Sequence, residues 1–232
     1  MPHRHREVSR IEGFSDAVFG FAITLLVVSL EVPKTYHELI TVIRGFPAFA
    51  VCFALIFQVW WRHYRFFRTF DLEDGFIVVL TGMLLFVVLF FVYPLKFMWS
   101  LPFAGIQGTR ITDEVITEAQ VPVLFQIYGA GVVATFGILT AMYGHAYRLR
   151  ERLGLTPEET IAAKVLIFRN LGVALIGALS IAIALLAPRY APAMISWAGF
   201  VYFGIGFVEW GLGEYEGRMK RRLASTTGTS PS

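Results

Sequence analysis

Arg10-Ile11-Glu12-Gly13-Phe14-Ser15-Asp16-Ala17-Val18-Phe19-Gly20-Phe21-Ala22-Ile23-Thr24-Leu25-Leu26-Val27-Val28 opens the first of six long apolar stretches and decides how the chain is read. About 20 helical residues at roughly 1.5 Å each cross about 30 Å of hydrocarbon, and beyond its first turn this stretch is lipid-soluble except for Ser15 and Asp16. A carboxylate such as Asp16, on the order of 8 Å inside such a helix, costs roughly 2.5–3.5 kcal/mol near the helix centre, so a partner for it is expected. Glu12 lies one turn earlier on the same face. Like charges at that spacing repel, which calls for a donor or cation from another helix.

The rest of the chain repeats the apolar pattern. Its 232 residues are 56% hydrophobic and 16% charged, with a mean hydropathy of +0.62, which excludes an ordinary soluble domain of this size. Spans are expected over 11–30, 43–61, 76–98, 121–147, 165–187 and 191–212. The runs are continuous rather than alternating, and helices satisfy their own backbone in lipid, so an all-α membrane protein with six transmembrane helices is predicted instead of a barrel. The first run is not read as a cleaved signal, because Asp16 interrupts it and no small-x-small site precedes Lys34. The single cysteine, Cys52, excludes an intrachain disulfide and a thiolate-pair metal site. The net charge of +3 comes from basic residues beside span ends with no recognition module, so nucleic acid is not an expected partner.

Charge also sets the orientation. Arg4, Arg6, Arg10, Arg62, Arg65, Arg68, Arg148, Arg150, Arg152, Lys164, Arg169, Arg218, Lys220, Arg221 and Arg222 fall on one side of the proposed spans. Lys34, Arg44, Lys96, Arg110 and Arg189 fall on the other, so the positive-inside rule places both termini in the cytoplasm and requires an even number of spans. Trp60, Trp61, Trp99 and Trp210 lie near span ends, where indoles prefer the headgroups. Thr156-Pro157-Glu158-Glu159 reads as a helix start. The external connection over 101–120 carries Asp113, Glu114 and Glu118; a solvated loop is the plainer reading, a cation-gathering mouth the sharper one. The expected organisation is one six-helix membrane domain over 1–216 and a basic tail over 217–232 whose Ser/Thr/Gly-rich end is disordered.

Polar residues inside the spans are few. His63, Arg169, Asn170, Glu209 and Trp210 lie toward the cytoplasmic side at depths comparable to Arg10, Ser15 and Asp16. Such a group locks helices together in the plainer reading and forms a proton relay or ion site in the sharper one. Phe21, Thr24, Leu25 and Val28 fall within a helical stripe roughly 100° wide, by default a lipid-facing or packing surface. The small residues Gly13, Ala17 and Gly20 on a neighbouring face allow close helix approach, as do Ala174, Ala178 and Ala182. No phosphate loop, His-Glu-x-x-His, Cys-x-x-Cys or nucleophile–base pair is present, so neither an enzyme nor a cofactor is expected. A Thr-Val-Gly-Tyr-Gly filter and an Arg-rich voltage sensor are likewise absent from the sequence.

Arg10 with Phe14-Ser15-Asp16 resembles the Arg-x-x-x-Phe-Ser-Asp signature of the transmembrane protein 175 family. Trp60-Trp61-Arg62-His63-Tyr64-Arg65 resembles its second-helix pattern Trp-x-x-His-His-Arg, with Tyr64 in place of the second histidine. The resemblance spans all six stretches in number and order, with specific motifs in the first two. It implies a potassium-preferring cation channel of the prokaryotic inner (cell) membrane. It further implies a homotetramer of six-span subunits whose first helices line a pore on the symmetry axis. Phe21, Leu25 and Val28 are then the implied pore constriction, Thr24 a polar layer beside them, and K+ the permeant ion. Arg10, Phe14, Ser15 and Asp16 become a structural motif with Trp60, His63 and Asn170 as partners. Phe21 departs from the isoleucine common at the first constriction; its ring narrows the passage, alters conductance, or turns aside and leaves Leu25 as the gate. The residues alone keep open a proton-coupled secondary transporter using Glu12, Asp16 and His63, although no pair of broken helices appears in matching halves. A membrane scaffold without transport is the third possibility.

Overall fold

The computed structural model describes residues 8–28, 32–104, 115–190 and 194–227, and every regular element among them is helical. The chain forms two compact units, Met1–Thr109 and Arg110–Ser232. The first contains α1 (Arg10–Val28), α2 (Tyr36–Arg44), α3 (Phe46–Phe70) and α4 (Gly75–Ser100). In it α1, α3 and α4 pack against one another, while α2 touches little besides α3. The second contains α5 (Val121–Arg148), α6 (Pro157–Tyr190), the short α7 (Trp197–Phe200) and α8 (Gly204–Thr227).

Local chemistry explains the boundaries. The Asp74 carboxylate accepts from Ile77 N at 2.9 Å and starts α4. Pro47 occupies the first turn of α3, and that helix ends at Asp71, whose φ of 54° turns the chain left-handed. Thr156 and Glu159 form the expected reciprocal cap before α6: Thr156 N donates to Glu159 Oε2 at 2.9 Å, and Glu159 N to Thr156 Oγ1 at 3.2 Å. In the second unit α5 and α6 form a helical hairpin. Its backbones meet at Gly129 and Gly177, where a Cβ on Gly129 would stand 2.9 Å from Gly177 O and 2.6 Å from Ile181 Cγ1. Close approach of this kind is how small residues favour helix association in lipid.

Two of the six expected spans differ in shape. The second, expected as one run over 43–61, is a broken pair: α2 and α3 meet at Gly45 with a bend of 44°. The sequence Gly45-Phe46-Pro47 accounts for this, since proline lacks the N–H that would continue the ladder and disfavours helix at the residue before it. The sixth, expected over 191–212, is divided by a 3₁₀ turn at Val201–Phe203 between α7 and α8. The turn immediately precedes Gly204 in a glycine-rich stretch with weak helix propensity.

Among the described residues four helices are long and apolar enough to cross a membrane, or five if α2 and α3 count as one span. The segment of α8 is not one of them, because its later half is strongly charged. That helix runs to Thr227, past the expected domain boundary at 216, so the first part of the presumed tail is helical. Residues 29–31 at the end of the first expected span, Arg110, Asp113 and Glu114 of the outer loop, 191–193 of the sixth span and 228–232 of the tail lie outside the described residues.

Candidate functional site

α1 presents two faces. Glu12, Ser15, Phe19, Ala22 and Leu26 are buried at a spacing of three to four residues, as expected for the face against α3 and α4. On the opposite side Gly13, Phe14, Ala17, Gly20, Phe21, Thr24, Val27 and Val28 form one exposed stripe. Phe14, Phe21 and Val28 are 60%, 57% and 76% exposed, as bare as the apolar stripe of α4 through Val79, Phe86 and Phe90; what sets the α1 stripe apart is the small residues Gly13, Ala17 and Gly20 within it. The small residues expected on a neighbouring face thus belong to the same open surface as the implied constriction. Leu25 sits at its edge and is half-buried.

The hydroxyl of Thr24 donates to Phe21 O at 2.7 Å. This back-bond uses the proton internally and leaves the oxygen lone pairs outward, so the group acts as an acceptor on the exposed stripe.

Within the first unit the motif residues separate into those that touch and those that do not. Trp60 Nε1 donates to Asp16 Oδ1 at 2.7 Å, a charge-assisted bond between α3 and α1 that supplies the partner Asp16 requires. Ser15 Oγ donates to Ile11 O at 2.6 Å and is fully buried. The His63 ring lies 5.6 Å from that of Phe19 and 4.9 Å from that of Phe67 between centroids; its Nε2 has no hydrogen-bond partner among the described residues. His63 therefore meets α1 through ring packing and not through Asp16 or Glu12. Arg10 and Phe14 are exposed. Asn170 is fully buried in α6 of the second unit. Beside it in sequence, Arg169 pairs with Glu209 of α8 at 3.0 Å, joining two members of the expected polar group.

Sequence reasoning missed the part played by Tyr64. Its ring stacks on Trp60 at 5.4 Å with 25° between planes, and Arg68 lies 5.8 Å from its centroid. Tyr64 thereby buttresses the indole that holds Asp16, giving the departure from the second-helix pattern a packing role. The i,i+4 spacing of Trp60 and Tyr64 was the available signal. Also missed was the aromatic ladder Phe46, Phe49, Phe53, Phe57, Trp60, whose successive centroids lie 5.0–6.2 Å apart along α3.

Comparison with known proteins identifies the family. Residues 10–91 match the family described as Endosomal/lysosomal potassium channel TMEM175. The chain is 38% identical over 209 residues to a potassium channel of Marivirga tractuosa, covering 86% of this chain and 84% of that relative. It is 28% identical over 148 residues to a potassium channel of Chamaesiphon minutus, covering 60% and 66% respectively. A crystal structure of a variant of the potassium channel MtTMEM175, in complex with a nanobody–MBP fusion, matches with a TM-score of 0.81 at 34% identity over 93% of this chain and 96% of that one. With its apolar helices, this makes the chain a multi-pass membrane protein. The chain belongs to the TMEM175 family of potassium channels.

Proposed function

We propose that the chain is one subunit of a homotetrameric, potassium-preferring cation channel in the prokaryotic inner membrane. The first helix of each copy lines the passage around the symmetry axis. The exposed stripe of α1 carries this reading: an apolar face left open by its own subunit, with small residues for close approach and large ones to narrow a path. Phe21 and Val28 form the constriction, Leu25 narrows it from the edge, and Thr24 supplies oxygen lone pairs beside it. Phe14, exposed in the single chain, packs against a neighbouring copy. Such an apolar ring gates by dewetting and favours the ion that sheds water more readily, which is potassium over sodium.

The subunit is proposed to cross the membrane six times with both termini cytoplasmic, α3, the long arm of the broken pair, and the α7–α8 segment completing the count. A single channel domain occupies 1–216. The protein needs no cofactor and catalyses no covalent step.

Potassium-driven flux into liposomes containing the purified protein tests the proposal. Replacing Phe21 or Leu25 with Asn is expected to wet the constriction and raise flux by about tenfold, the scale of roughly 1.4 kcal/mol off a barrier. Flux indistinguishable from protein-free liposomes would remove the reading. Under a proton-coupled transporter the flux would saturate and follow the pH gradient instead. The engagement of Asp16 with Trp60 and of His63 with two phenyl rings speaks for structural roles.

A further inference from the structure

The helix α2 has nine residues and buries none of them. Tyr36, Leu39, Ile40 and Ile43 fall on one face within about 100°, while His37, Glu38, Thr41 and Arg44 take the other. Tyr36, Leu39 and Ile43 are exposed. Helices shorter than about 12–15 residues are marginal in water, and the cap at Thr35, which accepts from Glu38 N at 3.2 Å, satisfies a donor without hiding the apolar face. Something apolar outside the described chain must cover it.

The flanks restrict what that is. α2 lies between the end of one candidate span, α1, and the start of the long α3. Roughly 14 Å long and inclined 44° to α3, it advances about 10 Å along that helix, the scale of the headgroup layer bordering the hydrocarbon. Its apolar face runs on at helical spacing into Phe46, Phe53 and Phe57, all exposed on α3. Unlike the open stripe of α1, the α2 part of this face, Tyr36, Leu39, Ile40 and Ile43, holds no glycine or alanine to admit another helix closely; Ala50 and Ala54 join it only farther along, on α3.

We propose that α2 is an interfacial helix of the outer leaflet, with Tyr36, Leu39 and Ile43 at the boundary of headgroups and acyl chains and His37, Thr41 and Arg44 toward water. The proposal rests on reading α1 and α3 as membrane spans with the N-terminus cytoplasmic; it does not require the channel to conduct.

The test uses the full-length protein in vesicles of phosphatidylcholine and phosphatidylglycerol. Leu39, Ile43, His37 and Thr41 are replaced by Cys one at a time in a Cys52→Ala background, and each is labelled with an environment-sensitive fluorophore. Labels at 39 and 43 are expected to be quenched by spin-labelled lipid and to be about threefold less accessible to aqueous iodide than labels at 37 and 41. Equal iodide access at all four positions would overturn the proposal, since α2 would then stand in water. Protection of 39 and 43 from both quenchers would overturn it too, assigning the face to protein, a second copy included. All four positions lie outside the core, so folding tolerates the changes; Tyr36→Cys replaces any variant that fails a gel-filtration check.

Discussion

At the scale of single residues, the bond from Trp60 to Asp16 makes an intramembrane carboxylate tolerable, because an ionised acceptor in a poorly hydrated site gains most from a directed donor. Trp60→Phe keeps an aromatic ring, though a smaller one, and removes the donor; it is expected to destabilise the protein by at least about 1.5–3 kcal/mol, the range for hydrogen bonds to charged groups. Thermal melting of the purified protein in detergent measures this; an unchanged midpoint would mean the bond contributes nothing. Asp16→Asn retains an acceptor oxygen and should cost less. Tyr64→Ala removes the stacked ring behind the indole and is expected to lose about 0.5–1.5 kcal/mol in the same assay. Asp16 and its need for a partner were legible in the sequence. The identity of the donor was not read from spacing, since Trp60 lies 44 residues away on another helix.

At the scale of elements, two contacts organise the second unit. Gly129 and Gly177 bring α5 and α6 to backbone contact, and Gly129→Ala drives a methyl against Gly177 O and the Ile181 side chain. The expected loss is about 1–3 kcal/mol, the usual cost of overpacking, read as a lower unfolding midpoint. The Arg169–Glu209 pair ties α6 to α8 with both side chains only partly exposed. Removing either charge alone leaves the other poorly compensated. A double-mutant cycle with Arg169→Met and Glu209→Gln should therefore return a coupling of about 0.5–3 kcal/mol; additive single effects would make the pair incidental. Helix existence was plain from the apolar runs, and the cap at Thr156–Glu159 was predicted correctly. The break at Gly45 was passed over because Ile43 and Phe46 continue the apolar run across it, and hydropathy alone does not register a change of axis.

At the scale of the whole molecule, the proposed function gives the open apolar stripe on α1 a role only when copies meet. Cross-linking of the protein in native membranes is expected to stop at four copies. Gly20→Leu, which places a bulky side chain on the close-approach surface, should shift the population toward smaller species by about tenfold or more, equivalent to roughly 1.4 kcal/mol per interface. A tetramer unaffected by Gly20→Leu would place the contact between copies elsewhere.

The sequence by itself determined the solvent, the helical class, the signature around Asp16 and the grouping of Phe21, Thr24, Leu25 and Val28 on one side of the first helix. These depend on local composition and a period of 3.6 residues, which a linear reading contains in full. Only the tertiary structure decided which side of that helix is left bare, that Trp60 and not His63 meets Asp16, that Tyr64 supports the indole, and that α2 departs from α3 as a separate amphipathic piece. Those outcomes depend on which helices pack together and at what angle, and distant residues become neighbours only once the chain has folded.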